Sequence, residues 1–279
     1  MVFRHNSNDE KPMPDATTIP AVEIRDLHYH FPDGTHALRG ISCAIGQNSS
    51  VALIGPNGAG KSTLLLHLNG LLPGDASAKH SSGEVLVLGT STRQATAAQL
   101  RQVRQTVGLV FQDANDQLFC PTVFEDVAFG PQQLGLSASE VKARVGNALA
   151  AMHLEGFEER MPHHLSVGEK RRVCIAGVLA CEPQVLVLDE PTSNLDPRGR
   201  RELKALLRSI TITKIIATHD LELVVEVCPE AILLARGQVV AQGATVPMLS
   251  DVGLMEAHDL EKPHILAHQH PHLPVIGGT

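Results

Sequence analysis

Gly55-Pro56-Asn57-Gly58-Ala59-Gly60-Lys61-Ser62-Thr63 constrains this chain more than any other stretch, because it satisfies every fixed position of G-x-x-x-x-G-K-[ST]. The apolar run Val51-Ala52-Leu53-Ile54 precedes it as a buried strand would. Leu64-Leu65-Leu66-His67-Leu68-Asn69 follows as the continuation of a helix. Glycines let the backbone turn its N–H groups inward around a triphosphate, and the new helix adds its partially positive N-terminus. Lys61 is then spaced to reach the outer phosphates and Ser62 to ligate magnesium. The strand, loop and helix together predict a nucleotide-binding α/β core.

Composition narrows the rest. The 279 residues, 43% of them hydrophobic, suffice for one large α/β domain or one domain with a small appendage. Lys and Arg total 23 against 30 Asp and Glu, a formal net charge of -7 that disfavours a nucleic-acid partner. No run approaches the roughly 18 apolar residues that span a bilayer, and Met1-Val2-Phe3-Arg4-His5-Asn6 has no apolar signal core. A soluble, intracellular chain is expected. Cys43, Cys120, Cys174, Cys181 and Cys228 lack C-x-x-C spacing and suit reduced, mostly buried thiols.

Residues 1–20 are polar, with Pro12, Pro14 and Pro20, and predict a loose tail. Val22–Leu27 alternates as a strand, Pro32-Asp33-Gly34 marks a turn, and Ile41–Ile45 is a second strand, together an antiparallel flap. Tyr29 or Phe31 is placed to stack on an adenine, and Phe31 is the choice. The stretch 73–83 is expected as a loop, Glu84–Gly89 and Val107–Phe111 as strands, the latter delivering Gln112. Val123–Phe129 and Ala138–Met152 read as amphipathic helices, broken by Gly130-Pro131 and Met161-Pro162. Ser166 then sits as the N-cap of a helix with Glu169 three residues on, a capping-box spacing. Val185-Leu186-Val187-Leu188 is a central parallel strand that presents Asp189 and Glu190 beside the phosphate loop, where a magnesium ion would meet them. A further strand, Lys214–Thr218, ends in His219.

These motifs, in this order, resemble the nucleotide-binding subunit of ATP-binding-cassette (ABC) transporters over about residues 22–245. Gly55–Thr63 matches Walker A, Gln112 the Q-loop, Leu165–Glu169 the signature, Val185–Glu190 Walker B, Ser193–Asp196 the D-loop and His219 the switch histidine. The family's usual signature is L-S-G-G-Q, whereas this chain has Val167 and Glu169 at the third and fifth positions. A β-branched Val disfavours positive φ, and Glu169 adds a negative charge unless it turns back on its own helix N-terminus. Phe111–Phe119, Pro121-Thr122-Val123 and Glu125–Pro131 further resemble the ATPase of energy-coupling-factor importers, especially the cobalt and nickel branch, as do Thr218–Leu223 and Gly253–Glu261.

The resemblance implies an α/β P-loop NTPase fold of the ABC nucleotide-binding type, with antiparallel flap, helical insert and C-terminal extension. The implied limits are 21–245 for the ATPase domain, about 113–165 for its helical subdomain and 246–279 for the extension. It implies ATP and Mg2+ as cofactors. Gly55, Pro56, Asn57, Gly58, Ala59, Gly60, Lys61, Ser62 and Thr63 would cradle ATP against Phe31. Lys61 would hold the β- and γ-phosphates, Ser62, Gln112 and Asp189 the magnesium, Glu190 would act as general base and His219 would contact the γ-phosphate. Ser166 and Gly168 would cover ATP held by a second subunit, so the chain is expected to pair head to tail, as a homodimer or with a closely related ATPase. Transmembrane coupling and substrate-binding subunits are the implied membrane partners, with this chain peripheral on the cytoplasmic face. Acidic Asp113, Asp116, Glu125 and Asp126 are expected to seat basic coupling helices. A vitamin importer and a non-transport cassette are the alternatives. Beyond 246 lie His264, His268, His270 and His272, of which His268-Gln269-His270-Pro271-His272 alternates as metal ligands could, or the histidines are incidental to a Pro-rich end.

Overall fold

The chain after residue 19 opens with two long antiparallel strands, Val22–His30 (β1) and His36–Ile45 (β2), around the expected turn. The computed structural model describes residues 19–73 and 80–267. Both strands extend beyond the limits that their alternation indicates. Ser50–Ile54 (β3) then leads through the phosphate loop into helix α1, Lys61–Leu68. Ser81–Val87 (β4) and Thr90–Ser91 (β5) complete a four-stranded antiparallel sheet of order β2-β1-β4-β5. Ser81 and Ser82 pair with Tyr29 and His28, so part of the expected loop is strand. Gly83 marks a register shift where a Cβ would lie 2.1 Å from the Asp26 carbonyl oxygen, which is why this polar, glycine-containing stretch can pair at all.

Helix α2 (Ala97–Thr106) precedes strand β6 (Val107–Val110), and helices α3 (Val123–Gln133) and α4 (Ala138–Ala151) form the insert before helix α5, Val167–Leu179. Helix α3 runs through Gly130-Pro131 rather than breaking there. Pro131 falls in its last turn, where the missing N–H forfeits one hydrogen bond. Gly130 is a packing residue, since a Cβ there would lie 2.3 Å from Cys181 Sγ.

Strand β7 (Val185–Asp189), helix α6 (Pro197–Ser209), strand β8 (Thr213–Ala217), helix α7 (Leu221–Val227), and strands β9 (Glu230–Ala235) and β10 (Gln238–Ala244) finish a second sheet. Its order is β10-β9-β3-β8-β7-β6, parallel except for β10. Short helices α8 (Thr245–Ser250), α9 (Val252–Glu256) and α10 (His264–Ala267) follow. His268, His270 and His272 lie outside the described residues.

The parallel strands read as continuous apolar runs because both faces are covered. Ala52, Ile54, Leu186, Leu188 and Ile216 face a core shared with the insert, α5 and α6. Val51, Leu53, Val185, Val187 and Ile215 face a second core made with α1 and the antiparallel sheet. Helix α1 lies between the two sheets. The carboxyl ends of β3, β8, β7 and β6 therefore come out side by side, the edge at which open α/β sheets bind ligands.

Candidate functional site

The phosphate loop is shaped by contacts that exclude side chains. Gly55 has φ +147°, and a Cβ there would sit 2.0 Å from the Leu234 carbonyl oxygen on β9. Gly60, at φ +102°, caps α1 with Ala37 O 2.8 Å from a would-be Cβ. The first N–H groups of α1 have no partner within the helix and no side chain caps them, which leaves them for an anion. Lys61 is 7% exposed, and its ammonium donates to the Gly55 and Pro56 carbonyls at 2.8 and 3.1 Å. Burial lowers its pKa, with Glu190 and then Asp189 opposing that shift.

Strand β7 brings the two acids to the same edge. Burial pushes the Asp189 carboxyl above its ordinary range, although Ser62 hydrogen-bonds to it. Its Oδ1 is buried with no hydrogen-bond partner. A buried, unsatisfied carboxylate oxygen beside a hydroxyl is a hard oxygen donor set, which fits magnesium completed by phosphate and water. Glu190 turns out of the strand at φ +45°, fixed by its N–H to Ala217 O at 2.8 Å. Its Oε2 accepts from Thr218 Oγ1 at 3.1 Å and from the His219 N–H at 3.3 Å, and lies 2.8 Å from His219 Nδ1. Against a carboxylate, Nδ1 is the donor, which leaves Nε2 for another partner.

One cavity of about 480 Å³ gathers Phe31, Lys61, Ser62, Gln112, Glu190 and His219, together with Asn57, Gly58, Ala59, Gly60 and Thr63. Pro56 lies on the loop's outer side, along a second cavity that reaches Ala257 and Asp259. Tyr29 is 1% exposed, packed edge-on against Phe31 and His67, so Phe31 is the aromatic that meets the cavity. Ser166 and Gly168 are elsewhere. They line a separate cavity of about 390 Å³ with Asn194 and Asp196. A single chain thus carries a phosphate cradle and, apart from it, a second helix N-terminus.

That second terminus answers the questions raised by Val167 and Glu169. Val167 occupies the first turn of α5 and has no positive φ, a position any β-branched residue can take. Glu169 Oε2 accepts from the Ser166 N–H at 2.8 Å and Oγ at 2.7 Å, while the Glu169 N–H donates back to Oγ at 3.3 Å. Burial pushes this carboxyl up, but the Ser166 bonds, with Arg160 and Arg172, outweigh it and hold the pKa below the ordinary range. The extra charge is spent on its own helix.

Sequence reasoning missed several residues. Arg171, on α5, donates through Nη1 to Phe111 O at 2.6 Å and through Nη2 to Gln112 O. Asp220 caps α7 through Leu223 N at 3.0 Å and accepts from Thr192 Oγ1 at 2.9 Å, tying the segment after Glu190 to the one after β8. Of the four acids expected to greet a partner, Asp113, Asp116 and Glu125 are exposed, and three of the four also hold backbone. Asp113 accepts from Asn115 N, Glu125 from Thr122, and Asp126 from the N–H groups of Phe119 and Cys120. The prominent feature there is apolar: Phe119 and Phe129 are exposed and packed edge to face at 5.1 Å. No helix among the described residues is long and apolar enough to cross a membrane.

The family profile described as ABC transporter matches residues 38–193. The energy-coupling factor transporter ATP-binding protein EcfA of Methanocaldococcus jannaschii is 46% identical over 247 residues, 88% of this chain and 86% of that protein. Among solved structures, CbiO1 from Clostridium perfringens, part of the ABC transporter complex CbiONQ, superimposes with a TM-score of 0.75 at 37% identity, covering 89% of this chain and 98% of its own. The ATP-binding cassette MJ0796, in a dimeric post-hydrolysis state bound to ADP and Pi, gives 0.70 at 27% identity over 80% of this chain and 98% of its own.

Proposed function

Since the chain belongs to the ABC transporter family, as an ATP-binding and ATP-hydrolysing subunit of the energy-coupling-factor type, we propose that it powers the import of cobalt or nickel ions. The observation that carries the metal is the segment Phe111–Pro131, whose residues resemble the cobalt and nickel branch, in a chain similar throughout to CbiO1.

In this reading Lys61 leaves the loop carbonyls for the β- and γ-phosphates, and Phe31 stacks on the adenine. Ser62 and Asp189, with Gln112 lining the same cavity as Ser62, would hold magnesium, which when bound would neutralise charge on the phosphate oxygens. Glu190 takes the proton from the attacking water as its oxygen displaces ADP from the γ-phosphorus. Thr218 and His219 fix the carboxylate's direction, and His219 Nε2 is the nitrogen for the γ-phosphate. The separation of the Ser166–Gly168 cavity from the phosphate cradle supports head-to-tail pairing of two copies, each signature closing the other's nucleotide. Hydrolysis then opens the pair. The chain sits peripherally on the cytoplasmic face, and the transmembrane coupling subunit docks on Phe119 and Phe129 with Asp116 at the rim.

The test is ATP-dependent uptake of radioactive cobalt and nickel in membranes that hold this chain with its genomic neighbours. Uptake of either ion, abolished by Lys61→Ala, is the expected result. Intact ATPase activity without uptake of either would move the cargo to a vitamin or another small solute.

A further inference from the structure

Helix α5 holds the segment after β6 at three points along one side. Lys170 Nζ donates to Asn115 Oδ1 at 2.9 Å, Arg171 to the carbonyls of Phe111 and Gln112, and Cys174 Sγ to Ala114 O at 3.6 Å. From the opposite side, Gln117 accepts the Phe111 N–H at 3.0 Å and donates to Leu109 O at 3.3 Å. The backbone that carries Gln112 is clamped between them.

Arg171 is the unusual member of this clamp. It is 2% exposed, forms no ion pair among the described residues, and its Nε is buried without a partner. By contrast, buried Lys204 lies 2.9 Å from the Glu226 carboxylate. A buried guanidinium whose hydrogen-bond partners are both carbonyls, with the Asp113 and Asp189 carboxylates acting on it only from beyond ion-pair distance, is a poor way to stabilise a core, where an apolar side chain of similar volume does as well or better. Its planar fork is well suited to something else: spanning two successive carbonyls at a fixed angle.

We infer that Arg171 is a positioning residue that joins Gln112 to the signature end of α5, so that the two half-sites of one chain move as a unit. Ser166 lies only about 7 Å along the helix from Arg171, a short and stiff lever. Gln112 lines the chain's own nucleotide cavity, whereas Ser166 and Gly168 face the other cavity. In the paired arrangement proposed above, on which this inference rests, a shift of Gln112 at one nucleotide is carried by Arg171 to the signature that closes the other. Cooperative turnover follows from that link.

The test compares the full chain with Arg171→Gln and Arg171→Lys. Nucleotide affinity at Walker A in the dilute chain is expected to stay within about twofold for Arg171→Gln. Its turnover should fall about 10–100-fold, as for a small misplacement of a positioned group, and its Hill coefficient for ATP should drop from about 2 toward 1. Arg171→Lys keeps the charge but not the fork, and should recover only part of both. Cooperativity and turnover at the wild-type level in Arg171→Gln overturn the inference. Hydrogen exchange on the wild-type chain tests it without relying on a variant's folding. Residues 111–117 and 166–170 are expected to gain protection with one common ATP midpoint, and separate midpoints overturn it. A wild-type chain that pairs but turns over ATP without cooperativity overturns the inference, whereas a specific activity independent of protein concentration at every dilution overturns the pairing itself.

Discussion

Glu190 and Asp189 are neighbours in sequence with opposite surroundings, and that difference decides what each can do. Glu190 has three donors converging on Oε2 and stays anchored beside Lys61 and Ser62. Glu190→Gln is expected to keep nucleotide binding while lowering turnover by about 10²–10⁴, the usual loss with a general base, read as phosphate release against equilibrium binding. Asp189 is under-satisfied, and its raised pKa has a consequence for stability. A carboxyl whose folded value lies above the unfolded 3.8 is penalised when ionised. The penalty is absent below the unfolded value, grows as the pH rises through the folded one, and is complete at neutrality. Asp189→Asn should therefore raise the melting temperature of the nucleotide-free chain at pH 7, by roughly 2–4 °C for each kcal/mol relieved, and the gain should shrink toward pH 4. A lower melting temperature in that variant would mean that Oδ1 is satisfied in solution.

Helix α5 is organised from its first turn. Ser166 and Glu169 exchange hydrogen bonds as a complete capping box, so Ser166→Ala should cost about 1 kcal/mol, seen as a fall of roughly 2–4 °C in thermal unfolding. Glu169, with its pKa held below 4.5, contributes stability above that value and loses it as the pH falls through its folded pKa. Glu169→Gln should preserve the box and remove that acid sensitivity. This element was readable in advance because its partners are three residues apart. The same holds for the phosphate loop, where glycine spacing specifies the turn, and for β7, whose apolar run ends in two acids. Arg171 was not readable. Its carbonyl partners are 59 and 60 residues away, and within Lys170-Arg171-Arg172 it looks like surface charge. Helix α2 buries Val103 alone, too little apolar signal to stand out. Phe119 and Phe129 belong to different segments, and only the fold makes them a pair.

For the molecule as a whole, the exposed Phe119–Phe129 pair adds an apolar anchor, beside the acidic residues, to the proposed seat for a membrane subunit. Phe119→Ser should leave ATPase activity of the isolated chain within about twofold while sharply reducing co-purification of the transmembrane partner, because a few desolvated aromatic anchors carry most interface energy. Retained co-purification would return the partner to Asp116 and its neighbours. The two separate cavities also set a rate law. In the proposed pairing a lone chain holds no complete active centre and a pair holds two, so the rate at high dilution should scale with the square of protein concentration and become linear only once pairing saturates. A membrane scaffold that carries two copies would supply that pairing by proximity, at an effective concentration in the millimolar range for short tethers. The enzyme would then be switched on by where it is held, with little idle hydrolysis away from the transporter.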